Sequence, residues 1–203
     1  ASSQALSLFN VALQIANADN IDPFDQGVAI CYFYMSLIYD QQGECENAFN
    51  SCITSTIIQE RLSDQLAPEI IIRYSLLARY SKLTNRNKLA FAFADRSANL
   101  GRIIAPNHPW VGIEYTVAAD LAIEISPEFA VRYGEDKLKY LEELAGKSGN
   151  DEALNKQMAK IYQSMSKALL QSKKLNEALE KVQKALELDP QNEEIKGACE
   201  LIK

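Results

Sequence analysis

The stretch SKKLNEALEKVQKALELDPQNEEIK, residues 172–196, decides the fold. Ala178, Val182 and Ala185 lie four and three residues apart, so they share one face of a helix. Small residues on that face let another helix approach closely. Asp189-Pro190 then ends the helix, because the residue before a proline is pushed out of the α region. Similar helices lie upstream: QALSLFNVALQIA from Gln4, NAFNSCITSTII from Asn47, LAFAFADRSANL from Leu89 and FAVRYGEDKLKYL from Phe129. Their leading alanines, with that of the last helix, are Ala5, Ala48, Ala90, Ala130 and Ala178, at intervals of 43, 42, 40 and 48 residues. A period near 42, long enough for two helices and two turns, is the signature of an α-helical solenoid.

The helices that open each pair keep one frame. Tyr32, Met35, Ser36 and Tyr39 form a large–large–small stripe, as do Tyr74, Leu77, Ala78 and Ser81, and Tyr162, Met165, Ser166 and Leu169. That arrangement is what two tightly packed antiparallel helices require. Pro23, Pro68 and Pro109 precede predicted first helices, where proline is tolerated. Gly43 marks a turn, Ser126 starts a second helix, and Asn150 or Asp151 caps the helix after GKSGND, 146–151. No useful strand-like alternation occurs, and QNEEIKGACELIK reads as a closing amphipathic helix. The expected fold class is all-α: a right-handed solenoid of antiparallel helix pairs with a C-terminal capping helix.

Length and composition agree. The 203 residues are 47% hydrophobic and 24% charged, with eight glycines and six prolines, few for an all-β chain. The longest apolar run, VAICYFYMSLIY at 28–39, is too short to span a bilayer. No signal-peptide pattern opens the chain, and Ala1 in place of Met points to a fragment of a longer protein. Cys31, Cys45, Cys52 and Cys199 match no zinc spacing, and the expectation is free thiols in a reducing compartment, cytoplasm or nucleus. Charge is uneven: residues 1–60 hold seven acidic residues and no Lys or Arg, whereas 61–110 hold eight basic and three acidic ones. A net charge of −6, with no basic stripe interleaved with aromatics, argues against nucleic acid.

With these residues in view, the chain resembles a tetratricopeptide repeat (TPR) array. The match is strongest at 159–192 through NEALEKVQKALELDPQN, and fair at 29–62 through Tyr32, Gly43 and Ala48. Units 71–104 and 111–144 are degenerate, with Glu114 where a large apolar residue is expected and Lys137 where a small one is expected. Residues 2–19 resemble a second helix without its first, and 192–203 the capping helix, so that 1–203 reads as a single repeat domain. The long period and APNHPW before a first helix are similar to the longer TPR variants, such as those of kinesin light chains.

The resemblance implies a concave groove lined by first helices. At its matching positions stand Phe33, Tyr34 and Leu37; Ser75, Leu76, Arg79 and Lys82; Tyr115, Thr116 and Ala119; and Lys160, Gln163, Ser164 and Lys167. Such a groove suits a protein or peptide partner with apolar anchors and an acidic flank. The Lys and Asn clamp that some TPR proteins close on acidic chaperone tails is not expected, since Phe33, Leu37 and Leu76 stand at its places and Lys160, which could serve as one clamp cation, has Ser164 where its partner would be. Nothing points to catalysis, a cofactor or a metal: the only histidine, His108, lies in a loop, and no glycine-rich phosphate loop or nucleophile motif occurs. The helix AICYFYMSLIY is apolar nearly all round, so something is expected to cover it: a neighbouring repeat, a missing N-terminal segment, a second copy or the ligand, with a flanking segment or a bound partner the favoured expectation. The leading expectation is a non-enzymatic interaction scaffold. The alternative is a ligand- or peptide-sensing module that controls a DNA-binding or catalytic domain elsewhere in the parent chain.

Overall fold

The computed structural model describes residues 2–62, 68–149 and 151–202. Ten helices account for nearly all of them: α1 Ser2–Ala18, α2 Gln26–Gln41, α3 Cys45–Leu62, α4 Pro68–Leu83 and α5 Asn87–Ile104, then α6 Pro109–Ile125, α7 Pro127–Ser148, α8 Glu152–Gln171, α9 Leu175–Leu188 and α10 Glu193–Ile202. They form two compact units, Ala1–Ile104 and Ala105–Lys203. Within the first, the hairpins α2–α3 and α4–α5 stack through α3 and α4, and α1 packs on α2. Within the second, α6–α7 and α8–α9 stack through α6·α8 and α7·α8, and α10 closes on α9. The architecture is an all-α solenoid of antiparallel helix pairs.

Local chemistry sets the boundaries. Asp25 and Asp151 cap α2 and α8 by accepting the amide hydrogens of Gly27 (2.7 Å) and Ala153 (3.0 Å). Ser126 Oγ accepts from Phe129 N (3.3 Å) at the start of α7, and α4, α6 and α7 each open on a proline. Gly43 turns α2 into α3 at a φ of 76°, where a side chain would be strained. Asn150, the other expected cap, lies outside the described residues.

The stripes read from the sequence are interior. Met35, Ser36, Leu77, Ala78, Ser81, Met165, Ser166 and Leu169 are all buried. Facing them from the second helices are Ala48 and Cys52, Ala90 and Ala94, and Ala178 and Val182, all 0% exposed. The apolar helix α2 is largely buried or half-buried within its own unit, which matches the expected cover by neighbouring repeats and not the favoured flanking segment or bound partner. Within the first unit Met35 and Ser36 are buried and Tyr32 and Tyr39 half-buried, leaving Ile30 and Tyr34 as its exposed large apolar residues.

A buried cation ties the first unit together. Arg73, 4% exposed, donates from Nε to Ser55 Oγ (3.0 Å) and from Nη1 to Glu69 O (3.1 Å). Its guanidinium lies 4.7 Å from the centre of the Phe33 ring. Burial pulls the Arg73 pKa below its ordinary value and pushes the neighbouring Cys52 thiol up to about 12.

Candidate functional site

The first helices turn equivalent positions away from the packing stripe, counted from the tyrosine that opens each stripe, though Ser164 among them is buried. Those tyrosines are Tyr32, Tyr74, Tyr115 and Tyr162. Two residues before them stand Ile30, Ile72, Ile113 and Lys160, all exposed. Two and five residues after them stand Tyr34, Leu76, Val117 and Ser164, then Leu37, Arg79, Asp120 and Lys167.

This register corrects one part of the sequence reading. Tyr115 and Ala119, expected on the open side of α6, are 0% and 1% exposed and belong to its packing stripe with Ala118 and Ala122. The expected frame runs one residue early there, so the open positions of α6 are Ile113, Val117 and Asp120, with Thr116 at their edge. The three isoleucines and Val117 were missed. Their signal was present, because Ile30, Ile72 and Ile113 recur at the spacing of the tyrosines.

In the first unit, Phe33 and Leu37 are half-buried, and Tyr34, 50% exposed, stacks on Phe9 of α1 with ring centres 6.1 Å apart. Ser75 and Leu76 of α4 are half-buried, and Arg79 and Lys82 are exposed. Arg79 pairs with Asp40 of α2 at 2.5 Å, so its charge is already shared.

In the second unit the open positions form a cleft of about 450 Å³ between α6, α8 and α10. Ile113 and Val117 supply its apolar wall and remain 51% and 38% exposed. Lys156, Lys160 and Lys167 line the α8 side, together with Gln163 and Ser164. Most of these polar groups are engaged. Ser164 Oγ donates to Asp120 Oδ1, Gln163 Nε2 donates to Glu194 Oε1 (2.9 Å), and Lys167 Nζ pairs with the same carboxylate (3.2 Å). Lys167, then Gln163 and Lys160, hold the Glu194 carboxyl below the usual carboxylate range. Lys156 pairs with Glu152 at 2.6 Å, whereas Lys160 makes no ion pair among the described residues. The cleft therefore sets Ile113 and Val117 opposite Lys160, whose charge acts on Glu194 without an ion pair.

The remaining chemistry is structural. His108 Nδ1 accepts the amide hydrogen of Trp110 (3.2 Å) and so caps α6. Among the described residues, no cluster of His, Cys, Asp and Glu could hold a metal ion, and no helix is long and apolar enough to cross a membrane. The four cysteines are free thiols, Cys52 and Cys199 buried and Cys31 and Cys45 half-buried.

Comparison with known proteins agrees with this geometry. No curated protein sequence matches the chain. The family model "Tetratricopeptide repeat" matches residues 159–192. Among solved structures, the TPR-like repeats described as those of a kinesin light chain from Podosopora anserina superpose with a TM-score of 0.62 at 13% identity, over 92% of this chain and 86% of theirs. BtubC (BKLC) from P. vanneervenii superposes with a TM-score of 0.64 at 14% identity, over 99% of this chain and 81% of its own. At such identities the likeness is one of fold. Residues 159–192 are thus a tetratricopeptide repeat, and the helix pairs around them build a solenoid of the TPR kind.

Proposed function

We propose that the chain is a non-catalytic interaction scaffold that binds a peptide or helical segment of a partner protein, as a subunit of a larger complex. The observation that carries this reading is the cleft of the second unit, where Ile113 and Val117 face Lys160 across about 450 Å³. Its mechanism is surface complementarity. Apolar side chains of the partner bury against Ile113 and Val117, and an acidic side chain pairs with Lys160. Asn192 and Glu194 at the start of α10 bound the cleft and limit the length of segment that fits. In the first unit, Tyr34, Leu76, Arg79 and Lys82 offer a second surface of the same character on α2 and α4. Peptide display against the whole chain tests the reading. Segments with apolar anchors and an acidic flank should be enriched, and an Ile113→Glu/Lys160→Glu variant of unchanged helicity should lose them. Equal capture by the variant would place recognition elsewhere.

A further inference from the structure

Two neighbouring glutamates open α10, and they behave differently. Glu193 pairs with Lys196 on its own helix (2.7 Å), and its side chain is 83% exposed, as is usual on a solvated helix face. Glu194 turns away from its own helix. Its Oε1 accepts from Gln163 Nε2 (2.9 Å) and pairs with Lys167 Nζ (3.2 Å), both on α8. Lys160, also on α8, adds its charge from a greater distance.

Holding α10 in place does not depend on this carboxylate. Asn192 Oδ1 accepts the amide hydrogens of Glu194 (3.1 Å) and Ile195 (3.3 Å) and so caps the helix. Ile195, 0% exposed, and Cys199, 3% exposed, bury with Val182 and Ala185 of α9 and Ala159 of α8. The Glu194 and Lys167 side chains are 69% and 51% exposed, and a pair so open to water adds little to the fold.

The receiving side is built more firmly. Gln163 is 7% exposed, and its amide donates to Glu194. A buried amide that loses its acceptor is costly, so whatever displaces Glu194 must bring an oxygen of its own. Lys160 and Lys167 stand three residues before and four after Gln163, on the same face of α8, and both favour an anion there. A carboxylate meets both demands. Ile113 and Val117 line the same cleft, so an acidic residue beside apolar ones suits the whole of it.

We propose, on the reading of this cleft as the partner site, that Glu194 is an internal stand-in for the partner. It fills a carboxylate position made by Gln163, Lys160 and Lys167, and an acidic side chain of the bound segment takes that position from it. Glu194 thereby lowers the affinity of the cleft for every acidic segment, because the open position is only fractionally populated.

The test pans a random dodecapeptide library on the whole chain and on its Glu194→Gln variant, then measures the most enriched peptide by fluorescence anisotropy. Glutamine keeps an oxygen for Gln163 but loses the charge. The variant should keep its circular dichroism and bind an enriched acidic peptide about three- to tenfold more tightly than the wild type does. A copy of that peptide with Asn and Gln in place of Asp and Glu should bind both forms alike. Glu193→Gln, the same charge change one residue away, should leave the affinity within about twofold of wild type. Suppose that Ile113→Glu/Lys160→Glu abolishes binding but Glu194→Gln binds no more tightly than wild type. The proposal then fails, while the cleft stands as the partner site. The same gain from Glu193→Gln, or enrichment of neutral peptides alone, would overturn it in the same way. No enrichment on either form, or peptides that bind Ile113→Glu/Lys160→Glu undiminished, would overturn the reading of the cleft and the proposal together.

Discussion

The hairpins α6–α7 and α8–α9 fill the space between their two helices with different residues. In α8–α9 the contact is small against small. Ala159, Ala178 and Ala185 are 0% exposed, and Ser166 Oγ donates across to Ala178 O (2.8 Å). In α6–α7 the small residues are concentrated on the first helix, as Ala118, Ala119 and Ala122. The second helix answers with bulk: the Tyr140 ring meets Tyr115 edge-on at 5.4 Å, and Lys137 lies over both Tyr115 and Tyr133 at 4.6 and 4.8 Å. Each crossing is filled, one by small residues on both helices and the other by small residues on one and bulk on its partner. No single residue type at a single position defines a filled crossing.

The largest expected effect breaks the bulky hairpin. Tyr115→Ala removes a fully buried ring and the platform under Lys137, and should cost about 3–5 kcal/mol in urea unfolding. A loss below about 1 kcal/mol would mean that Tyr140 and Lys137 collapse into the space and that the ring is not what sets the spacing. Next, Ala185→Leu overfills the small-against-small crossing and should cost about 1–3 kcal/mol. A neutral result would show that α9 can slide away from α8 without penalty. The smallest effect is the most discriminating. Lys137→Ala puts the expected small residue into α7, yet should destabilise by about 1 kcal/mol, because the lysine stem and ammonium cover two rings. Stabilisation by that change would show that the two hairpins obey one rule after all.

Much of this could be read from the residues. Tyr32, Tyr74 and Tyr162 stand at the head of stripes whose large and small members differ clearly, so periodicity alone orients α2, α4 and α8. In α6 the run Ala118-Ala119 and nearby Ala122 offers small residues at successive positions, and a one-residue shift leaves the pattern equally good. The shift turns Tyr115 inward and Val117 outward, and only packing decides between the two. The candidate site inherited that ambiguity at α6, whereas Lys160 and Lys167 of α8 line the cleft from the expected frame. The cover over α2 was illegible for another reason. It depends on how α1, α3 and α4 meet around it, which no local pattern encodes.

Arg73 has a consequence for how the open face of α2 can be read. Its guanidinium has no room to leave and uses the Phe33 ring as part of its solvation, in place of the water that burial removed. A ligand that displaced Phe33 would have to supply that solvation itself. Phe33 is therefore a fixed floor, with Ile30 and Tyr34 as the exposed apolar side chains of the helix. On the scaffold reading proposed above, selectivity on that helix would rest on Ile30 and Tyr34, and Phe33, which looks like an anchor, would be part of the foundation.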